Sequence, residues 1–408
     1  MPVVTEVLIV GAGTSGLMSA ARPKALGAES VILDRNAQVD DSWTIRYENL
    51  ELHEPQNPHL LTKDEIAEHL LNMIVSANIQ CSIYSPSEEK WTVRFKTAGG
   101  GETRTIVSKH FIHATGLGGV KPYIPSIEND PLYQGTNIHS TQFHNEKNLA
   151  ELGIKTVTVI GSANTAFDVI EDCDNAGLKT TMVARSPTYV FPYDYIINPN
   201  GIGVYEAMPP DAADTLLLTL PCGVDGQFSH ALFAHLAPQE PGQYEALGKA
   251  GIPVIDSMNP DVNLQHNMIE RGGGHYIDLG TTESIVDGKV AVSGNVEPVS
   301  YTETGLRLSD GSVIDSDAII WCTGFADKNV REVAKEALGA DEIGPNGADL
   351  VLGPTDIAAR LDATWGMAAE GEVRGVLKRH LRMENYWVNA GAIMLQRWWS
   401  GRSPSRSS

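Results

Sequence analysis

The strongest constraint on this chain is an apolar, β-branched run, Val4 to Val10, that stops on Gly11-Ala12-Gly13-Thr14-Ser15-Gly16. Such a run reads as a buried parallel strand. Residues 15 to 26 then read as a helix and Ser30 to Leu33 as a second strand, which makes a strand–helix–strand unit. Pro23 falls inside that helix, where a proline removes a hydrogen bond. In this context the three glycines have separate uses. Gly11 permits a tight turn, Gly13 lets a pyrophosphate approach the backbone, and Gly16 lets helix and strand pack closely. The helix start, with Thr14 and Ser15, offers free N–H groups and a positive dipole end to phosphates. Asp34 closes the second strand, with Arg35 after it. A carboxylate there accepts from both ribose hydroxyls and repels a 2′-phosphate, so the first site is expected to hold FAD or NAD rather than NADP.

A second unit begins at Lys155. Thr156 to Ile160 reads as a strand, Gly161-Ser162-Ala163-Asn164-Thr165-Ala166 as the turn, and 163 to 176 as a helix ending at Gly177. Thr180 to Ala184 is the next strand, closed by Arg185-Ser186. Only the first glycine of the pattern is kept, and alanine is small enough for the other two places. A guanidinium and a hydroxyl after the strand suit a 2′-phosphate, so this site is expected to prefer NADP.

HFIHATG (110–116) and AIIWCTG (318–324) share a shape, an apolar strand followed by Thr-Gly. Small residues there let the backbone pass close to something else. One such crossing lies on each side of the middle unit, which points to a domain interrupted by an insertion. Elsewhere, residues 62 to 77 read as a helix with Thr62 and Glu65 as a capping box. Trp91 to Thr97, a turn at Gly99 to Gly101, and Thr103 to His113 read as a hairpin. Residues 195 to 270 read as loops and short helices that could cap a pocket. The tail 401–408 is polar and expected to be disordered.

The fold class expected is α/β, with two Rossmann-like dinucleotide-binding domains, the NADPH domain inserted in a discontinuous FAD domain. Residues 1–150 would be the first part of the FAD domain, 151–300 the NADPH domain with its capping insertion, and 301–400 the second FAD part. At 408 residues the chain is long enough for two cores. Its formal charge of −21 disfavours nucleic acid and anionic membrane as partners. Cys81, Cys173, Cys222 and Cys322 form no CxxC and no zinc-like cluster with histidine, so reduced thiols and no metal are expected. No signal peptide or bilayer-length apolar run is evident, so a cytoplasmic location without a membrane span is expected.

Between the two turns lies Tyr133-Gln-Gly135-Thr-Asn-Ile-His139-Ser-Thr-Gln-Phe143. Here the chain resembles the flavin-containing monooxygenase family, whose fingerprint is FxGxxxHxxx followed by an aromatic. Gly135, His139 and Phe143 match in place, and Tyr133 stands for the first aromatic. Ser42-Trp43, Arg46-Tyr47 and Leu52-His53 resemble the segment that this family lays along the flavin. GLGGVKPYIP resembles its first crossing, IGSANTAFDV and VARSPTYV its NADPH motif, and WCTGF and WGMAAEGEVRG its later flavin segments. The resemblance covers nearly the whole chain.

The resemblance implies FAD and NADPH as cofactors, with O2 and a small molecule as substrates and a homodimer left open. NADPH would reduce FAD, and a C4a-hydroperoxyflavin would oxygenate a soft nucleophile, an amine nitrogen or a sulfide. Phe143, where tryptophan marks typical Baeyer–Villiger enzymes, points to N- or S-oxygenation. For FAD the residues implied are Gly11, Gly13, Thr14, Ser15, Gly16, Asp34, Arg35, Ser42, Trp43, His53, Thr115, Gly116, Thr323 and Gly324. For NADP they are Gly161, Ser162, Ala163, Asn164, Thr165, Arg185 and Ser186. His139 would couple the two domains, and Asn57 would hydrogen-bond the peroxide. A disulfide reductase of similar architecture needs a redox cysteine pair that the sequence lacks. A Baeyer–Villiger enzyme, another NADPH–flavin oxidoreductase, and a relative with impaired activity or no flavin stay open. The last stays open because the family continues into a final helix beyond NAGAIMLQRWWSGRSPSRSS.

Overall fold

The computed structural model describes residues 1–36, 46–48, 51–52, 61–62, 75–97, 100–116, 120–239, 242–261, 264, 266–341, 351–362, 366–376, 380–391, 395–396 and 398. Its strands are β1 (Val3–Val10), β2 (Ser30–Asp34), β3 (Glu51–Leu52), β4 (Leu61–Thr62), β5 (Val75–Ser85), β6 (Lys90–Thr97), β7 (Arg104–His113), β8 (Thr136–His139) and β9 (Thr156–Ile160). They continue as β10 (Lys179–Ala184), β11 (Thr188–Pro192), β12 (Val254–Ile255), β13 (His275–Asp278), β14 (Ala291–Gly294), β15 (Pro298–Tyr301), β16 (Gly305–Leu308), β17 (Val313–Asp315), β18 (Ala318–Trp321) and β19 (Tyr386–Val388). Two helices matter most, α1 (Thr14–Ala25) and α2 (Asn164–Asn175). The chain divides into two compact units, one of Met1–Ile45, Lys63–Lys121 and Ala326–Ser408, the other of Arg46–Thr62 and Pro122–Phe325. The breaks fall at 121/122 and 325/326 rather than at the expected 150 and 300, because β8 and the β15–β17 meander belong to the second unit.

In the first unit β1 lies between β2 and β7, all three parallel, with Val10 opposite both Leu33 and His113. β19 adds a parallel strand on β7 from more than 270 residues down the chain (Tyr386 opposite Phe111). β5, β6 and β7 form an antiparallel meander. Burial follows from the β-branched run: Val7, Ile9, Ile32 and Ile112 pack together, with Leu17 and Ala20 of α1 against them. Pro23 is tolerated because it falls in the last turn of α1. The helix ends at Ala25, and the Pro23 carbonyl takes the N–H groups of Leu26 and Ala28.

The helix expected over 62–77 is overturned at both ends. Thr62 ends β4, and Val75 to Ala77 open β5; Glu65 lies outside the described residues. Val75 to Ala77 pair instead with neighbouring strands, Val75 opposite Leu33 of β2 and Ala77 opposite Thr97 of β6, so strand pairing overrides the local helical pattern.

In the second unit five parallel strands run in the order β14-β10-β9-β18-β8. The apolar face of α2 covers them through Phe167, Val169 and Ile170, all fully buried with Val157, Val159 and Met182. Phe167 stacks on Tyr276 with ring centroids 3.7 Å apart and planes 2° from parallel. β11, β12 and β13 form a separate small parallel sheet. The stretch read as loops and short helices does hold short ones, but also the 15-residue helix Cys222–Leu236. Among the described residues no helix is long and apolar enough to cross a membrane.

Phe167→Ala empties a buried site and removes a ring stack, so it should cost about 3–5 kcal/mol of stability in equilibrium urea denaturation.

Candidate functional site

Each unit builds a glycine turn, and the two turns repeat one hydrogen-bond pattern. In the first, the Gly11 N–H donates to Leu33 O at 2.8 Å and the Ala114 N–H to Val10 O at 2.7 Å. In the second, the Gly161 N–H donates to Val183 O at 3.0 Å and the Cys322 N–H to Ile160 O at 2.8 Å. Gly11 has φ +106° and Gly161 φ +133°, conformations that side chains rarely adopt. A Cβ on Gly11 would collide with the Ala114 carbonyl, and one on Gly161 with that of Cys322. A Cβ on Gly16 would strike the Gly11 carbonyl, so α1 can start this close to β1 only with glycine there. Neither helix has a side-chain cap at its first residue, Gly13 before α1 and Ala163 before α2.

The residue ending the second strand differs between the turns. The Asp34 carboxylate accepts the Ala12 N–H at 2.6 Å on Oδ2 and the Asn36 N–H at 2.7 Å on Oδ1. It therefore braces the turn and keeps lone pairs for ribose hydroxyls. Arg35 follows it, exposed. By the shared pattern Leu33 matches Val183, so Ala184 stands in the place of Asp34 and Arg185 comes next. Arg185 Nη1 lies 3.5 Å from Glu297 Oε2, both exposed. Arg271 Nη2 donates to Ser186 Oγ at 3.2 Å. Sequence reasoning missed Arg271, whose one signal is the Gly272-Gly273-Gly274 run behind it. Ser162 Oγ accepts from Thr188 Oγ1 at 2.6 Å, and Asn164 Oδ1 from the Ile277 N–H at 3.1 Å. Thr165 contributes its carbonyl to Cys322 Sγ at 3.9 Å.

Thr115 and Gly116 follow Ala114 beside the first turn. Thr323 and Gly324, grouped by sequence with the FAD residues, lie in the second unit after β18. Thr323 Oγ1 donates to Tyr123 O, and Gly324 O accepts the Tyr123 N–H. Ser42, Trp43, His53 and Asn57 lie outside the described residues.

The fingerprint has a physical reason at each position. The Tyr133 hydroxyl donates to Ser316 O at 2.8 Å, and its ring folds over Gly135, where any Cβ would collide with it. Phe143 is buried in the core of the second unit. His139 Nδ1 accepts the Thr141 N–H at 3.2 Å, so its proton sits on Nε2 and is donated to Gly324 O at 3.0 Å. Burial pushes its pKa down, which keeps the ring neutral. His139 thus ties β8 to the crossing after β18 and is no acid or base in this setting. Nearby, the Tyr47 hydroxyl donates to Asp168 Oδ2 of α2 at 2.6 Å, and burial followed by Asp168 drives its pKa well up.

Further along α2, burial and then the neighbours Glu146 and Asp168 lift Asp172 to about 7. Its carboxyl holds a proton in the fold at pH values where the unfolded chain has lost it. That contribution is present at acidic pH and disappears as pH rises from the ordinary carboxylate range through about 7. Asp172→Asn should therefore match the wild type near pH 4 and exceed it by about 2 kcal/mol at pH 8 in urea denaturation.

All four cysteines are free, and among the described residues no group of three or more His, Cys, Asp or Glu side chains could hold a metal.

The chain is similar to several known proteins. Residues 5–198 match the family model described as pyridine nucleotide-disulphide oxidoreductase. The chain is 26% identical over 359 residues to indole-3-pyruvate monooxygenase YUCCA1 of Oryza sativa subsp. japonica, covering 82% of this chain and 80% of that one. It is 26% identical over 344 residues to probable indole-3-pyruvate monooxygenase YUCCA10 of Arabidopsis thaliana, covering 79% and 82%. Among solved structures, the flavin-containing monooxygenase from Stenotrophomonas maltophilia aligns with TM-score 0.58 at 17% identity, over 98% of this chain and 97% of that one. The OTEMO complex with FAD and NADP aligns with TM-score 0.62 at 15% identity, over 98% and 84%. The fold is a two-domain, α/β dinucleotide-binding one.

Proposed function

We propose that this chain, a member of the flavin-containing monooxygenase family, is an FAD-dependent monooxygenase that draws electrons from NADPH and transfers one oxygen atom of O2 to a small soft nucleophile, an amine nitrogen or a sulfide sulfur. The observation that carries the reading is the repeated turn with opposite closures. Asp34 in the first unit suits the two ribose hydroxyls of FAD. Ala184, Arg185 and Ser186 in the second, joined by Arg271, suit the 2′-phosphate of NADPH. On this reading the first unit is the FAD domain, discontinuous in sequence, and the second is the NADPH domain inserted into it.

The residues present fit both groups. The first turn has glycine at position 13, a helix start that Gly13 does not cap, and a carboxylate placed by two backbone N–H groups. The second has its own uncapped start, and the Arg271 guanidinium lies on the Ser186 hydroxyl. Bound FAD supplies the redox chemistry, taking a hydride from NADPH and activating O2. The chain's part is to bind, orient and exclude water. Gly11, Gly13, Thr14, Ser15 and Gly16 hold the FAD pyrophosphate, and Gly161 to Thr165 that of NADPH. Thr323 and Gly324, fixed by Tyr123 and His139, frame the second turn. His139 supports domain coupling by holding that crossing in place. Ser42, Trp43 and His53 are assigned to the flavin-lining segment, and Asn57 to the oxygenating end. Dithiol chemistry, which the name of the matching family model invites, has no redox cysteine pair to carry it.

The test is NADPH oxidation by the purified holoprotein in air with a sulfide, a tertiary amine, a cyclic ketone and indole-3-pyruvate. The cyclic ketone tests the Baeyer–Villiger alternative, and indole-3-pyruvate follows the names of the relatives. One equivalent of oxygenated sulfide or amine per NADPH is expected. Arg271→Ala should raise the KM for NADPH about 10-fold or more while leaving NADH unchanged, since a charge-assisted contact contributes about 1.5–3 kcal/mol. Hydrogen peroxide as the sole product with every substrate would contradict the oxygen-transfer reading.

A further inference from the structure

We propose that the Thr115 hydroxyl is a hydrogen-bond donor to an acceptor oxygen of the dinucleotide at the first turn, and that His113 and Tyr386 are positioning residues that fix its direction. This rests on the FAD reading of that turn.

His113 is 1% exposed and stands between two hydroxyls. Its Nδ1 lies 2.7 Å from the Tyr386 hydroxyl and its Nε2 lies 2.5 Å from Thr115 Oγ1. Burial, reinforced by His380, pushes its pKa down to about 4, so the ring is neutral and has one donor and one acceptor. Tyr386 is fully buried, stacked on Phe111, and burial keeps its phenol protonated. Its hydroxyl hydrogen needs an acceptor, because an unmade hydrogen bond in a core costs about 1–3 kcal/mol. His113 Nδ1 is the hydrogen-bond partner that the structure gives it. Tyr386 therefore donates to Nδ1, which puts the ring proton on Nε2, which donates to Thr115 Oγ1. The opposite order would leave the phenol hydrogen with no acceptor.

With its oxygen accepting from His113, the Thr115 hydroxyl turns its own hydrogen outward. Thr115 is half-buried and sits beside the glycine turn. The Ala114 N–H before it binds Val10 O, and a Cβ on Gly11 would stand 2.9 Å from the Thr115 nitrogen. The donor is thus presented beside the Gly11 turn that the FAD reading assigns to the dinucleotide. Tyr386 comes from β19, so the far C-terminal stretch sets the polarity of a group at the N-terminal turn.

The test is a double-mutant cycle on FAD affinity, measured by titrating apoprotein, prepared from the holoprotein, with FAD. Thr115→Val should weaken FAD binding about 10-fold and Thr115→Ser should stay within about twofold of wild type. Tyr386→Phe removes the donor that fixes the ring proton on Nε2, so the order of the Thr115 bond is no longer set by Tyr386; a loss smaller than that of Thr115→Val, about two- to threefold, is expected. The double variant should bind no worse than Thr115→Val alone, and Tyr386→Phe and Thr115→Val should shift the visible flavin spectrum alike. Additive losses in the cycle, or Thr115→Val binding FAD as wild type does, would overturn the inference while leaving the FAD assignment intact. A wild-type apoprotein that takes up no FAD would instead overturn the assignment itself. Should Tyr386→Phe fail to fold, the Val-against-Ser contrast at Thr115 still decides.

Discussion

Gly11 and Gly161 each stand against a carbonyl, that of Ala114 and that of Cys322, where no Cβ fits. Everything else at the two turns depends on this close approach. It lets the crossing strand end beside the first strand. It fixes the N–H bonds from Ala114 to Val10 and from Cys322 to Ile160. Neither Gly13 nor Ala163 places a side-chain cap on the helix that follows. Both glycines hold positive φ, so an alanine would meet backbone strain as well as a collision.

Much of this was legible in the sequence because the signals are local. A β-branched run followed by GAGTSG and closed by Asp34 can be read within 34 residues. The likeness of HATG to WCTG announced two close crossings, and both are where the glycines meet carbonyls. What the sequence hid is what depends on contacts between distant residues. Val75 and Ala77 take strand pairings with Leu33 and Thr97 that a local helical pattern does not report. Arg271 reaches Ser186 across 85 residues, and Tyr386 reaches His113 across 273. No periodicity reports such pairs. Asn389 was likewise missed; its amide donates to Ser15 O at 3.2 Å and Ser19 Oγ at 2.8 Å. The signal was there in part, since YWVNAG is a third apolar strand that ends on small residues.

The fingerprint shows how a motif can be structural in its details and still point to function. Tyr133, Gly135, His139 and Phe143 each have a packing or hydrogen-bonding reason within the second unit. None is placed as an acid or base. Of the four, His139 holds the Gly324 carbonyl of the crossing whose Cys322 carbonyl lies on Gly161. On the proposed reading the two repeats part at one matched position, Asp34 against Ala184, while an arginine follows in both, Arg35 and Arg185. The carboxylate at Asp34 disfavours a 2′-phosphate, and its replacement by Ala184 removes that repulsion.

The central claim is that the two turns hold different dinucleotides and pass electrons from one to the other. The most direct measurement is to mix the FAD-loaded protein with NADPH without oxygen and follow the visible flavin absorbance. The account predicts bleaching with NADPH at concentrations where NADH acts far more slowly, and recovery of the colour when air is admitted. A protein that retains no flavin, or a flavin that NADPH leaves oxidised, would contradict it.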